Sequence, residues 1–385
     1  MLFIFSFPVG KARNLIYFYS MQIRAIIDVL EQLAPLSLQE DYDNAGLQVG
    51  DPNEACSGVM VALDATEAVV AEAAEKGCNL LVVHHPLIFG GIKKLTGSNQ
   101  VERTLLAAIH RKLAIYAIHT NLDHVSDGVN AAIAAKLQLQ NCRILQPKSG
   151  LLKKLSTYVP LAHTETVRSA LFAAGAGHIG AYDECSFAME GNGSFRGAAD
   201  TNPFVGKPGQ RHIEREEKLE IIFPAWLERK VLTALWAAHP YEEVAYEITP
   251  TDNIHQHIGA GMIGELEQGL EVQEFLQLIK NQFNISIIRH TQPAKKSIQK
   301  VAVCGGAGIF LLHQAMAAGA DALVTSDIKY HSFFEAEPGF LLCDIGHWES
   351  EQYTIDLLAD HIARKFPNFA VLKTGVRTNP VHYFS

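Results

Sequence analysis

No C-x-x-C pair occurs among the six cysteines, which stand apart at positions 56, 78, 142, 185, 304 and 343. A zinc-finger or disulfide framework is therefore not expected. Several of these thiols lie in or beside apolar runs, as the reduced, buried cysteines of a cytoplasmic protein do. No apolar stretch is long enough to span a bilayer. Positive charge is in short supply: 32 Lys and Arg against 41 Asp and Glu leave a net charge of −9. That balance argues against a general nucleic-acid or anionic-membrane binder. No Walker loop, G-x-S-x-G elbow or H-E-x-x-H helix stands out.

The chain does have size and histidine. Its 385 residues are 48% hydrophobic and 19% charged, enough for two or three domains with a large core, and 17 are histidines. Residues 1–20 put an apolar patch ahead of Lys11 and Arg13, the wrong order for a secretory signal. A helix-like pattern starts at Met21, so 1–20 are expected to be a non-native or disordered extension.

Strand-like and helix-like segments alternate from Met21 to about Lys148 and again after about Ser297, which implies an outer domain of 21–150 and 251–385 built on a parallel α/β sheet with helices on both faces. The segment 76–84 resembles 318–326 in layout, a weak internal duplication that would bring two sets of strand ends to one cleft. The stretch 151–250 differs: strand, helix, hairpin, strand, helix, strand suggests a ferredoxin-like α+β module inserted into a discontinuous outer domain. Asn192-Gly193 is expected to be the turn of its hairpin.

Chemistry concentrates at strand ends, where ligands bind in open α/β sheets. The run Leu80-Leu81-Val82-Val83 ends in His84-His85-Pro86, and a proline-fixed turn there lets both rings face a cleft. The run 114–118 ends in His119-Thr120-Asn121-Leu122-Asp123. Asp123 can reach back to a cation or, equally, cap a helix starting near Gly128. The run 340–344 leads to a long helix expected from His347 toward Phe366, on which His347 and Glu351 are four apart on one face, where they can grip a metal or form an exposed ion pair. Asp327 and His331 follow another strand and serve either as proton carriers and ligand-orienting groups or as a cap and a surface residue. The G-x-G-x-x-G match at 259–264 has no long strand before it and is set aside as a dinucleotide motif. Gly305-Gly306 fits close packing better than phosphate binding.

Taken jointly, Asp41-Tyr42-Asp43-Asn44-Ala45-Gly46-Leu47-Gln48-Val49-Gly50, the V-V-H-H-P and H-T-N-L-D stretches, S-D-I-K-Y-H and G-H-W-E-S-E resemble the dinuclear-metal hexameric family labelled GTP cyclohydrolase 1 type 2 homologue, or NGG-interacting-factor-like. The resemblance runs from Met21 to Tyr383, and the central module looks like the PII-like insert of longer members. It implies a homohexamer with two divalent metal ions per subunit (zinc, iron or manganese), held by His84, His85, Asp123, His347 and Glu351, with His119 a cleft histidine of open status. The implied activity is metal-dependent hydrolysis, with GTP ring opening by a metal-bound hydroxide as the named case and His119, Asp327 or His331 as proton carriers. The rival expectation is a non-catalytic metal-binding ring that senses a small ligand through the insert. Nucleic acid and membrane are not expected partners.

Overall fold

The computed structural model describes residues 21–292 and 297–384; the expected 1–20 extension lies outside them. The chain is mixed α/β with three sheets. The first has five strands in the order Gly46–Val49, Ala114–Ala117, Leu80–Val83, Val59–Ala62, Val371–Lys373. All of its neighbours are parallel except the Gly46–Val49 edge. The second has six, in the order Arg289–His290, Leu341–Asp344, Ala322–Thr325, Ser297–Val303, His255–Glu271, Gln140–Lys148. Its Ser297–Val303, Ala322–Thr325 and Leu341–Asp344 strands are parallel.

Side-chain alternation explains the layering. Val59, Val61, Leu80 and Val82 point into one core, while Met60, Ala62, Leu81 and Val83 point into another, beneath the helices Glu67–Glu75 and Gln100–His110. In the second sheet Val301, Val303 and Val324 join that first core, while Ala302 and Leu323 face away. The two sheets thus share a middle layer, filled by the helices Ile23–Leu33, Val272–Phe283 and Thr354–Lys365. The likeness between 76–84 and 318–326 extends to the backbone: Gly77 and Gly319 both take φ +75° ahead of a four-residue buried strand.

The third sheet is antiparallel, in the order Phe187–Phe195, His212–Pro224, Leu152–Pro160, Tyr246–Thr251. Helices Thr164–Ala173 and Glu228–Ala238 cover its apolar face.

Two expectations are corrected, and the setting aside of 259–264 as a dinucleotide motif stands. Asn192-Gly193 is not a turn: Phe187–Phe195 runs straight through it, paired to His212–Pro224, and the connection is the longer loop 196–211. Gly193 is there because a Cβ would run into the Glu216 carboxylate. The helix beginning at His347 ends at Glu351, and a separate helix spans Thr354–Lys365. The glycines of 259–264 lie within the 17-residue strand His255–Glu271, which removes any strand–turn–helix phosphate site there.

Candidate metal centre

The Leu80–Val83 strand stops where the backbone N–H groups of His84 and His85 both donate to the Leu63 carbonyl, at 3.1 and 3.0 Å. That shared acceptor ends the ladder and turns both imidazoles to the same cleft. The cleft is about 890 Å³ and lies across the carboxyl ends of strands from both sheets, with residues from each in its wall.

Every histidine of the cluster is anchored through Nδ1. His84 Nδ1–H donates to the Ile118 carbonyl at 2.8 Å. His85 Nδ1 bonds Asp64 at 2.7 Å, His119 Nδ1 bonds Asp43 at 2.8 Å, and His347 Nδ1 bonds Asp327 at 2.7 Å. A carbonyl or carboxylate can only accept, so each ring keeps its proton on Nδ1 and offers Nε2 inward, the arrangement that orients metal-bound histidines. His85 Nε2 lies 2.9 Å from Glu351 Oε2 and 3.3 Å from His347 Nε2. His347 Nε2 is 3.1 Å from the same carboxylate oxygen. Two overlapping triads result, His84–His85–His119 and His85–His347–Glu351, each with ligand atoms within 4.8 Å of one another.

The electrostatics fit a cation. His84 is fully buried, and burial holds its imidazole below the usual value. Its Nε2 has no hydrogen-bond partner and lies 3.6 Å from Asp123 Oδ1, itself buried and unpartnered. Burial and then the Glu351 charge push the Asp123 carboxyl well up. Burial would also raise Glu351, but hydrogen bonds from His347 and His85, with the His84 imidazole 3.9 Å away, hold it well down. Burial would lower His85 and His347; the carboxylates beside them instead raise them to about 10 and about 9. Orphaned buried polar atoms facing imidazoles and carboxylates are a donor set for a divalent ion of borderline character.

The structure brings together His84, His85, His119, Asp123, His347 and Glu351. Asp123 does not cap the next helix: Val129–Lys136 begins after Gly128 with no side-chain cap. Asp327 sits behind His347 with φ +56°, a left-handed conformation that Asp tolerates. His331 stands apart, exposed in the Tyr330–Glu335 turn with its ring against Tyr330. Gly306, at φ +61°, is a close-packing glycine, since a Cβ there would lie 2.5 Å from Glu351 Oε1. Sequence reasoning missed Asp43 and Asp64. Asp64 follows the Val59–Ala62 strand, so the strand-end logic applied to the other segments reaches it too. Asp43 carries no comparable signal, because it lies in the polar loop before Gly46–Val49.

An α/β scaffold with an imidazole–carboxylate cluster at the strand ends of two sheets defines a class of protein able to hold a metal ion. The chain belongs to the Duf34/NIF3 (NGG1p interacting factor 3) family, whose profile matches residues 21–380. It is 37% identical over 348 residues to the GTP cyclohydrolase 1 type 2 homolog of Bacillus subtilis, covering 90% of this chain and 92% of that protein. It is 34% identical over 368 residues to the protein of the same name from Mycobacterium leprae, covering 94% and 95%. A solved structure of a Bacillus cereus protein related to NIF3 superposes with a TM-score of 0.83 at 36% identity, covering 95% of this chain and all (100%) of that one.

Proposed function

We propose that the chain is a metal-dependent hydrolase with a two-metal site in the cleft. The observation that carries this reading is the set of four imidazoles held through Nδ1, with Nε2 of His84, His85 and His347 close to Glu351 or Asp123 and two buried polar atoms lacking partners. His84, His85, Asp123, His347 and Glu351 are the proposed ligands, and His119 extends the first triad. Zinc, iron(II) and manganese suit the donors alike. Divalent ions bound there would supply Lewis acidity to a substrate oxygen and to water. The chain's own residues set the geometry: Asp43, Asp64 and Asp327 fix three rings, and Gly306 lets Glu351 lie close against the backbone. His119 is the proposed proton carrier, its Nδ1 proton held by Asp43.

The name shared by the curated relatives makes GTP the first substrate to try. The test is elemental analysis of freshly purified protein, followed by incubation with GTP and assay for formate. Two metals per subunit and formate release lost in His85→Ala and Glu351→Ala are expected. Metal-replete protein that leaves GTP intact removes GTP as substrate; fewer than about 0.1 metal per subunit after reconstitution removes the metal centre, given the affinity expected of such a donor set. We further propose a homohexamer, checked by light scattering, and a PII-like ferredoxin-type insert at 151–250 between the outer-domain segments 21–150 and 251–385. A cytoplasmic home is in keeping with six free thiols. No helix among the described residues is long and apolar enough to cross a membrane.

A further inference from the structure

A second cavity, of about 700 Å³, opens on the four-stranded antiparallel sheet, away from the histidine cluster. Its floor is bare because Phe187–Phe195 carries glycines at 191 and 193, two residues apart and so on one face. A Cβ at Gly191 meets nothing within 4 Å, whereas one at Gly193 would run into Glu216. Three aromatic rings stand over this floor. Tyr241 lies between Phe195, with centroids 5.8 Å apart, and Phe204, at 6.2 Å.

At the base is Glu216, only 8% exposed. Among the described residues its carboxylate receives one side-chain hydrogen bond, from the Tyr241 hydroxyl at 2.8 Å, and forms no ion pair. A carboxylate this buried with a single neutral donor is costly unless a cation comes to it. The rest of the lining does not supply one. Lys218 is already paired to Glu220 at 2.8 Å, and Arg196 is exposed on the loop. Glu242 and Glu243 add negative charge to the rim.

We propose that this cavity is a recognition site for a small organic cation, an alkylammonium or guanidinium compound, seated among Phe195, Phe204 and Tyr241 with its charge on Glu216. Aromatic faces and a desolvated carboxylate together are what such cations bind. The size is that of a small-molecule pocket. Metal ions are poorly served, because Glu216 is the one buried carboxylate of this lining, while Glu190, Glu242 and Glu243 are exposed at its edge, and no histidine or cysteine joins them. The site goes beyond the hydrolase reading and does not depend on it.

The test is calorimetric titration of the full-length protein with choline, with butylguanidine, and with 3,3-dimethyl-1-butanol, the uncharged carbon isostere of choline. At least one cation is expected to bind with a Kd under about 1 mM and the alcohol at least about tenfold more weakly. Which cation wins distinguishes an ammonium from a guanidinium ligand. Glu216→Gln should weaken binding about tenfold, and Gly191→Leu, which fills the floor without a clash, should abolish it; both should melt as the parent does. The inference is overturned if neither cation saturates below about 10 mM, if the alcohol binds as well as choline, or if Glu216→Gln binds undiminished.

Discussion

Gly306→Ala tests how the cleft is assembled, because it removes no ligand. Gly306 sits at φ +61°, where a side chain costs about 1–2 kcal/mol. The added Cβ would also lie 2.5 Å from Glu351 Oε1, against the 3.4 Å at which ordinary contact begins, so the carboxylate must retreat by about 0.9 Å. Glu351 is 3% exposed and hydrogen-bonded to His85 and His347, so it has little room to give. A displacement near 1 Å costs roughly 100-fold in a positioned reaction, and loss of an orienting contact costs about 10- to 100-fold in metal affinity. Gly77→Ala is the matched control: φ is +75°, but the Cβ meets nothing within 4 Å. Both variants should lose similar stability in urea unfolding. Only Gly306→Ala should lose metal, read as the metal-to-subunit ratio after dialysis against a graded chelator series. Equal metal retention in the two variants would refute the claim that this glycine sets the position of Glu351.

Three other outcomes are expected. Asp64→Ala and Asp43→Ala should each weaken metal binding about 10- to 100-fold by freeing a ring, and each should also lower the melting temperature, since Asp64 accepts from Thr378 and buried Asp43 from Thr120; unchanged affinity in competition with a chromophoric chelator counts against the anchoring role. In metal-free protein His85 and His347 are raised to about 10 and about 9, so the stability they contribute is complete below about pH 6.5 and lost as pH rises through 9 to 10. Metal binding must displace those protons, so metal affinity should climb over the same window; urea midpoints of metal-free protein that stay flat from pH 6.5 to 9.5 contradict the pairing. Finally, His331→Ala should leave metal content and any turnover within about twofold, whereas Asp327→Ala should lower both about tenfold, since Asp327 alone of the two touches the cluster.

The cluster was legible in the sequence because each contribution sits at the end of a buried apolar run, and strand ends in a parallel sheet converge whatever their separation along the chain. The residues behind the rings were harder. Asp43 meets His119 from 76 positions away, and nothing local marks that distance as short. The central module misled at one point for a definite reason. Asn-Gly usually signals a hairpin because both residues accept φ > 0, but Asn192-Gly193 stays extended in an edge strand whose pairing to His212–Pro224 continues through both residues, and the glycine is explained by Glu216 on the neighbouring strand. The break after Glu351 was invisible to periodicity, since Thr354–Lys365 continues an amphipathic pattern.

The final stretch of chain gives the histidine cleft an order of assembly. Val371–Lys373 completes the edge of the first sheet, and just beyond it Thr374 and Gly375 hold Glu72, Thr378 holds Asp64, and Asn379 holds Glu349. During synthesis the strands that carry His84, His85, His119 and Asp123 emerge first, without the His347 and Glu351 that complete the second triad. A growing polypeptide would therefore hold an ion only loosely. Firm loading of an ion would wait until residues 371–379 have left the ribosome and latched one sheet to the other.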